Sequence, residues 1–161
     1  MSTPINVRNV RKKVDIYIDG SCLGNGKPGA AAGWSFLVVD DGKKTVRYGK
    51  LPGELQTNNR AELYALYMAL RFVRNMRDES IKVRLLMDSK LIYDGLVGAA
   101  SRKANRDLWD LVEALCVEVG VNIESVEHIP REENKLADKY ARKGAQALII
   151  PDEGLEEEIE D

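Results

Sequence analysis

The order in which strand and helix patterns follow one another is the feature that most limits how this chain can fold. Alternating apolar and polar residues between turn signals predict strands at 14–20, 34–40, 43–51, 81–87 and 121–129. Helical spacing of apolar residues predicts helices at 58–76, 89–97, 106–120 and 130–148. Three strands come first, and each later strand follows at least one helix. This order predicts an α/β domain with a five-stranded mixed sheet, antiparallel at one side and parallel at the other.

Length and composition indicate one soluble globular domain. The chain has 161 residues, of which 44% are hydrophobic and 31% charged, enough to bury a sizeable core. No apolar run approaches the length of a membrane span, and the polar start is not followed by the apolar stretch of a signal peptide. Cys22 and Cys116 form no disulfide or zinc pattern. We therefore expect a cytoplasmic protein, with no membrane association and a monomeric state as the default.

Charge is distributed unevenly along the chain. Residues 1–13 are predicted to be a basic arm, 14–148 the folded domain, and 149–161 an acidic tail. The last eleven residues hold seven of the 26 acids and none of the 24 bases, so residues 1–150 carry a net charge of +5. The tail is expected to be solvated and disordered. The basic balance of the remainder is compatible with an anionic partner despite the overall charge of −2.

Four acids occupy positions from which they could meet. Asp19 ends the first strand, Asp88 ends the fourth, and these ends share one edge of the sheet if the two strands are adjacent and parallel. Glu62 lies on the inward stripe of the first long helix, where an acid needs a partner. Asp138 lies in the last helix, next to Ala137, and small neighbours allow that helix to approach the sheet closely.

Clustered carboxylates need positive charge. Four of them without counter-charge would cost several kcal/mol, and oxygen-rich sites favour Mg²⁺ or Mn²⁺. Two such ions would suit phosphodiester cleavage, one activating water and the other stabilising the leaving oxygen. Each acid alone also has a simpler explanation, as a turn former, a helix-dipole partner or a member of a surface ion pair. It is the joint pattern that favours a metal site.

Four segments, in this order, carry a family resemblance: "DGSCLGN", "TNNRAEL", "MDSKLI" and "REENKLADKYA". Together they make residues 14–146 resemble type 1 ribonuclease H in its compact prokaryotic form. The resemblance implies a sheet of order 3-2-1-4-5 flanked by helices. It also implies cleavage of the RNA strand of RNA–DNA hybrids with two Mg²⁺ or Mn²⁺ ions, leaving 5′-phosphate and 3′-hydroxyl ends. The implied metal ligands are Asp19, Glu62, Asp88 and Asp138, with Asp19 bridging both ions.

The resemblance also implies contacts to the substrate. Cys22, Asn25, Asn58 and Asn59 would lie near the minor groove, where RNA presents its 2′-hydroxyls, and asparagine amides can both donate to and accept from that group. Thr57 and Asn25 would contact phosphates of the DNA strand, and Lys90 a further phosphate. Residues 57–59 can equally be a helix cap, and the two roles are compatible.

Two of the departures from the family pattern concern the basic protrusion and the loop histidine. Only Arg102, Lys103 and Arg106 stand where larger members carry a basic, Trp-rich protrusion, so we expect modest salt dependence of binding. Many members place a histidine on the loop before the last helix. His128 has the right offset from Asp138, but it is more compatible with a strand position, which leaves Arg131 in the loop histidine's place. Arg131 can hold phosphate but cannot act as a base near neutral pH.

Two rival functions fit the same fold class. One is another hydrolase of this superfold, such as a transposase or exonuclease, against which the asparagine pair of "TNNRAEL" argues. The other is a nonenzymatic module that binds hybrids or RNA, against which the presence of all four acids argues. The favoured function is hybrid-specific cleavage in the removal of primers and R-loops.

Overall fold

A computed structural model of the protein describes residues 12–147 and 151–160. Its strands are β1 (Lys12–Leu23), β2 (Ala31–Asp40), β3 (Lys43–Lys50), β4 (Ile81–Met87), β5 (Ile123–His128) and β6 (Leu155–Ile159). Its helices are α1 (Asn58–Met76), α2 (Lys90–Val97), α3 (Arg106–Val119) and α4 (Lys135–Gln146), with 3₁₀ turns at Gly120–Asn122 and Arg131–Glu133. Residues 1–11 of the predicted basic arm lie outside the described residues, and Lys12 and Lys13 begin β1.

The strands form one mixed sheet in the order β5-β4-β1-β2-β3-β6. β1 pairs in parallel with β4, and β4 with β5, whereas β2, β3 and β6 are added antiparallel. The order of the first five strands confirms the predicted 3-2-1-4-5 arrangement. The parallel half arises because helices cover the connections into β4 and β5, while short turns connect β1, β2 and β3.

Each face of the sheet has its own apolar layer. Trp34 and Phe36 point to the face covered by α1 and α3, where Trp109 also belongs to the main core. Leu37 points to the opposite face, towards Tyr140 of α4. The alternation along β2 follows from the twofold side-chain period of a strand. Trp34 and Trp109 are both buried, as expected for core residues.

Helix α1 is held at its start by a side-chain cap. The Thr57 hydroxyl accepts a hydrogen bond from the Arg60 backbone N–H at 3.1 Å, which satisfies a donor that has no partner within the helix. The inward stripe of Leu63, Leu66, Leu70 and Val73 is buried as its spacing predicts. The helix packs across β1 and β2 and thereby delivers its first turn to the end of β1.

The last helix begins later than its sequence pattern predicts. The pattern starts the helix at Pro130, but residues 131–133 form a 3₁₀ turn and α4 begins at Lys135. Asn134 interrupts the helical path, with φ −120° and ψ 26°. Its side chain donates hydrogen bonds to the sheet instead, at the Ile18 carbonyl and the Asp88 carboxylate. Tertiary bonding therefore displaces the start of the helix.

The acidic C-terminal segment contradicts the expectation of a solvated end. Leu155–Ile159 pairs antiparallel with β3 and extends the sheet to six strands. Glu156 forms an ion pair with Arg47 at 2.9 Å, and Glu157 another with Lys143 at 3.0 Å. Basic residues of β3 and α4 therefore offset part of the negative charge of this segment.

A glycine substitution tests whether the segment is docked. Gly154 has φ +81°, and a Cβ there would lie 2.7 Å from both Trp34 and the Tyr48 carbonyl oxygen. Gly42 has φ +82° with nothing within 4 Å of the same position, so Gly42→Ala is a matched control for backbone strain alone. We expect Gly42→Ala to cost about 1 kcal/mol of unfolding free energy and Gly154→Ala about 1–2 kcal/mol more, measured by urea denaturation. A solvated segment would make Gly154→Ala neutral.

Candidate active site

Two of the predicted acids emerge side by side from neighbouring strands. In the parallel pairing of β1 with β4, Ile18 lies opposite Met87. Asp19 and Asp88 are the next residues along each strand, so both carboxylates lie at the same edge of the sheet. This juxtaposition is the one that the sequence predicts for adjacent parallel strands, whose carboxyl ends form the usual site in such folds.

The third acid reaches this edge because Gly20 lets a helix approach. A Cβ at Gly20 would lie 2.3 Å from the backbone nitrogen of Glu62 and 2.4 Å from the carbonyl carbon of Ala61. Any side chain at position 20 would therefore push the first turns of α1 away from β1. Because Gly20 has no side chain, the buried Glu62 can lie beside Asp19. The glycine that follows Asp19 is thus part of the site's construction.

Three carboxylates converge and the fourth lies near them. One oxygen each from Asp19, Glu62 and Asp88 lie within 4.8 Å of one another, a spacing that could hold a metal ion. Asp138, half-buried on α4, is not in this group. It forms an ion pair with Arg142 one turn later on the same helix, at 3.2 Å. Its charge is still close enough to contribute to the raised pKa of Asp19.

Burial and mutual repulsion make this cluster electrostatically unfavourable when it is ionised. Burial, followed by the charges of Asp88, Glu62 and Asp138, raises the pKa of Asp19 to about 9, although the Gly20 N–H donates to its carboxylate. Burial also raises the pKa of Glu62 to about 7, and the charge of Asp88 raises it further. A hydrogen bond from Ser89 and the charge of Arg131 lower this pKa but do not cancel the increase. A divalent cation would remove this repulsion, and all-carboxylate ligands match Mg²⁺ or Mn²⁺. The residues present therefore fit such an ion.

The two candidates for the loop histidine's place occupy different positions. His128 is the last residue of β5, as its strand pattern predicts. Its Nε2 donates to the Asp88 carbonyl oxygen at 3.1 Å, and its ring lies 5.8 Å from that of Tyr93. Arg131 lies on the 3₁₀ turn before α4 and is exposed, close enough for its charge to act on Glu62.

Comparison with known proteins gives the family. The profile of the RNase H family matches residues 11–146 of this chain. The chain belongs to the ribonuclease H family. Ribonuclease HI of Haemophilus influenzae is 32% identical over 161 residues, which cover 91% of this chain and 99% of the relative. Ribonuclease H of Aeromonas hydrophila is 35% identical, covering 88% and 96%. These relatives make the protein a ribonuclease H enzyme of type 1 and argue against the nonenzymatic alternative.

Solved structures support the same conclusion. LC11-RNase H1, solved in complex with an RNA/DNA hybrid, superposes with a TM-score of 0.70 at 29% identity over 82% of this chain and 96% of that one. RNase H1 from the archaeon Halobacterium salinarum gives a TM-score of 0.67 at 28% identity, with the same two coverages. The ribonuclease H fold is therefore established for this chain, with β6 as an addition to its five-stranded sheet.

Two of the segments predicted to contact substrate in this ribonuclease H are hydrogen-bonded to each other. Asn25 lies on the exposed loop after β1, and its side-chain oxygen accepts a hydrogen bond from the Asn58 N–H at 3.1 Å. Thr57 serves as the helix cap, which is the simpler of its two predicted roles, and Asn59 is exposed beside it. The glycine-rich loop and the start of α1 therefore form one connected surface.

Gln56 supports this surface, although its role was not apparent in the sequence. Its side chain accepts from the Ala32 N–H at 2.8 Å and donates to the carbonyl oxygens of Leu51 and Gly53 at 2.9 and 2.8 Å. Its own carbonyl oxygen accepts from the Cys22 thiol at 3.4 Å. Burial raises the pKa of that thiol, so Cys22 is not an activated nucleophile. A glutamine in a loop gives no sequence signal of such bonding.

Two basic residues that the sequence associates with substrate binding make contacts within the protein. Lys90, predicted to contact phosphate, is exposed and pairs with Asp94 at 3.0 Å. The Arg102 guanidinium stacks 4.7 Å from the centre of the Trp109 ring and donates to the Gly95 carbonyl oxygen at 2.7 Å. It also pairs with Glu113 at 3.2 Å. Arg102 is thus a structural residue of the reduced protrusion.

Within residues 12–147 and 151–160, no helix has the length and hydropathy needed to cross a membrane. The thiols of Cys22 and Cys116 are free.

The raised pKa values predict how stability depends on pH in the absence of metal. Below about pH 4 Asp19 is protonated in both the folded and unfolded chain; as pH rises towards 9, only the unfolded chain gains the charge, so stability falls. In chelator at pH 7, Asp19→Asn should therefore stabilise the protein by about 2–4 kcal/mol, and the difference should vanish near pH 4. Thermal unfolding across this pH range measures the difference in stability.

The control variant is Asp15→Asn, on the same strand. Because Asp15 is paired with Arg84 at 2.8 Å, this substitution should slightly destabilise the protein. A destabilised Asp19→Asn at pH 7 would contradict the electrostatic account.

The protrusion offers a second test. Arg102→Ala should lower the unfolding free energy by about 1–2 kcal/mol because it removes the stacking on Trp109 and the bond to Gly95. Lys103→Ala, at the exposed neighbouring position, should change it by less than about 0.5 kcal/mol. Urea denaturation of both variants distinguishes a structural Arg102 from one held free for substrate, since a free side chain would behave like Lys103.

Proposed function

We propose that this ribonuclease H cuts the RNA strand of RNA–DNA hybrids by two-metal-ion phosphodiester hydrolysis, leaving 5′-phosphate and 3′-hydroxyl ends. The observation that carries the proposal is the convergence of Asp19, Glu62 and Asp88 within 4.8 Å at the edge of the sheet. The hybrid bound in the LC11-RNase H1 structure supports the substrate class.

The four predicted acids would hold two Mg²⁺ or Mn²⁺ ions. Asp19, the most buried of the cluster, is the candidate to bridge both ions, with Glu62 and Asp88 beside it. Asp138 would complete the set from α4 if its carboxylate exchanged the Arg142 contact for an ion. When bound, the ions supply the Lewis acidity that activates water and stabilises the leaving oxygen.

Arg131 and His128 take different supporting roles in this proposal. Arg131 is exposed and its charge acts on Glu62, so its guanidinium could hold a phosphate oxygen of the substrate or product. His128 donates to the backbone carbonyl of Asp88 and so steadies the end of β4. Neither residue is required to remove a proton from the attacking water.

Selection of RNA would come from the surface formed by the glycine-rich loop and the start of α1. Asn25, Asn58 and Asn59 would offer amide groups to the 2′-hydroxyls of a minor groove, and the hydrogen bond between Asn58 and Asn25 supports their acting as one surface. Cys22 lies at the same strand end, and Thr57 and Lys90 are the candidates for phosphate contact. DNA lacks the 2′-hydroxyl and would leave these amides without their partners.

The cellular setting follows from the substrate class. Hybrids arise as primers and R-loops, and we propose that the protein removes them in the cytoplasm as a monomer without an obligate partner. Its free thiols are compatible with a reducing compartment.

Cleavage of end-labelled substrates tests this function directly. The RNA strand of a hybrid should be cut with Mg²⁺ or Mn²⁺ and should remain intact in chelator, while double-stranded RNA and DNA resist. Asp19→Asn should lower the rate by roughly 10³-fold or more because the cluster loses its central carboxylate. Asp15→Asn, the same chemical change four residues earlier on β1, should leave the rate near that of the wild type.

Three results would contradict parts of the proposal. Cutting in chelator would remove the metal requirement, and equal cutting of double-stranded RNA would remove the hybrid specificity. Products with 3′-phosphate ends would exclude the proposed hydrolysis. Retained activity in Asp19→Asn would mean that the acidic cluster is not the catalytic centre.

A further inference from the structure

Asn134 is the most buried polar side chain near the acidic cluster after Ser35, with only 1% of its surface exposed. It lies between the 3₁₀ turn at Arg131–Glu133 and the start of α4. Its backbone carbonyl accepts the Asp138 N–H at 3.0 Å. The residue is therefore built into the start of the helix that carries the fourth acid.

The amide of Asn134 connects this helix to both strand ends of the site. Its Nδ2 donates to the Ile18 carbonyl oxygen at 2.9 Å and to the Asp88 carboxylate at 3.1 Å. Ile18 directly precedes Asp19. One NH₂ group thus binds one of the clustered carboxylates itself and the backbone next to another.

The chemistry of these partners determines which way the amide faces. Both the Ile18 carbonyl and the Asp88 carboxylate are acceptors, so only the NH₂ side of the amide can face them. The Oδ1 atom is then buried without a hydrogen-bond donor among the described residues. This oxygen gains no hydrogen bond from the described residues, so the contacts that the side chain makes are the two bonds its NH₂ group donates.

Asn122 provides the comparison within the same chain. It is also buried, and its Nδ2 likewise donates two hydrogen bonds, to the carbonyl oxygens of Asp78 and Ile81 at 2.8 and 2.9 Å. These partners are backbone groups at the opposite end of β4. Asn122 therefore stabilises a chain connection only, whereas Asn134 directs one of its two hydrogen bonds to a carboxylate of the site.

We propose that Asn134 is a positioning residue that orients the Asp88 carboxylate and the end of β1 for divalent-ion binding. The inference rests on the metal site described under the proposed function. Removing a donor that holds a ligating carboxylate in one orientation typically lowers metal affinity or activity by about 10- to 100-fold. Its bond to Asp88 leaves the other carboxylate oxygen available for the ion.

Isothermal titration of the full-length protein with Mn²⁺ at pH 7.5 tests the proposal. Asn134→Ala and Asn122→Ala remove the same side chain and the same number of donated bonds, and both should lower the melting temperature. Only Asn134→Ala should raise the dissociation constant for Mn²⁺, by about 10-fold or more. In cleavage assays it should raise the Mn²⁺ concentration for half-maximal rate while leaving the KM for hybrid unchanged at saturating metal.

Each outcome of the titration is decisive. Asn134→Ala binding Mn²⁺ within twofold of the wild type would overturn the positioning role while leaving the metal site intact. Equal weakening in Asn122→Ala would also overturn it, because general destabilisation would then explain the effect. Failure of the wild type to bind Mn²⁺ would overturn the metal site and the positioning role together. Asn134→Ser, which keeps one donor in a smaller side chain, supplies the measurement if Asn134→Ala does not fold, and should show intermediate weakening.

Discussion

The parallel pairing of β1 with β4 is the contact on which the rest of the site depends. Its register places Ile18 opposite Met87, so that the two following aspartates leave the sheet together. A shift of one residue would turn every side chain of one strand to the other face and separate Asp19 from Asp88. The close approach at Gly20 then adds Glu62 from α1. The acidic cluster is therefore a consequence of backbone pairing more than of any attraction between the acids.

The fold holds these acids together against their own repulsion. Burial and neighbouring charges raise the pKa values of Asp19 to about 9 and of Glu62 to about 7, so the cluster opposes folding near neutral pH without a cation. The apolar layers on both faces of the sheet must compensate for that cost. The same unfavourable electrostatics makes the site receptive to divalent ions, because binding removes repulsion that already exists. Strain of this kind is typical of functional sites.

Local patterns predicted the five strands and their mixed sheet, and placed Asp19 and Asp88 together only on the condition that the first and fourth strands are parallel neighbours. That neighbourhood came from the family resemblance, and the pairing of β1 with β4 confirms it. The features that were not predicted depend on partners distant in the sequence. The sixth strand pairs with β3 through its backbone while its acidic side chains meet Arg47 and Lys143, and an isolated acidic segment gives no sign of these partners. The late start of α4 depends on bonds from Asn134 to two other strands. Asp138 lies on the last helix as predicted, but its carboxylate pairs with Arg142 and does not join the other three acids. Residue spacing cannot predict such a side-chain contact.

The reduced protrusion changes how substrate affinity can arise in this enzyme. Arg102 stacks on Trp109, and Arg106 pairs with Asp110 at 3.3 Å. Lys103, the third base of the protrusion, is exposed and has no such contact among the interactions described. The protrusion then offers at most a few bases to phosphates, and binding that depends on few such contacts weakens only gradually with salt. With the proposed substrate contacts, discrimination would come from short-range contacts, and the hydrogen bond from the Asn58 N–H to the Asn25 side chain connects the two segments of that surface. A surface ordered in advance loses less conformational entropy on binding, which offsets part of the electrostatic attraction that the short protrusion lacks.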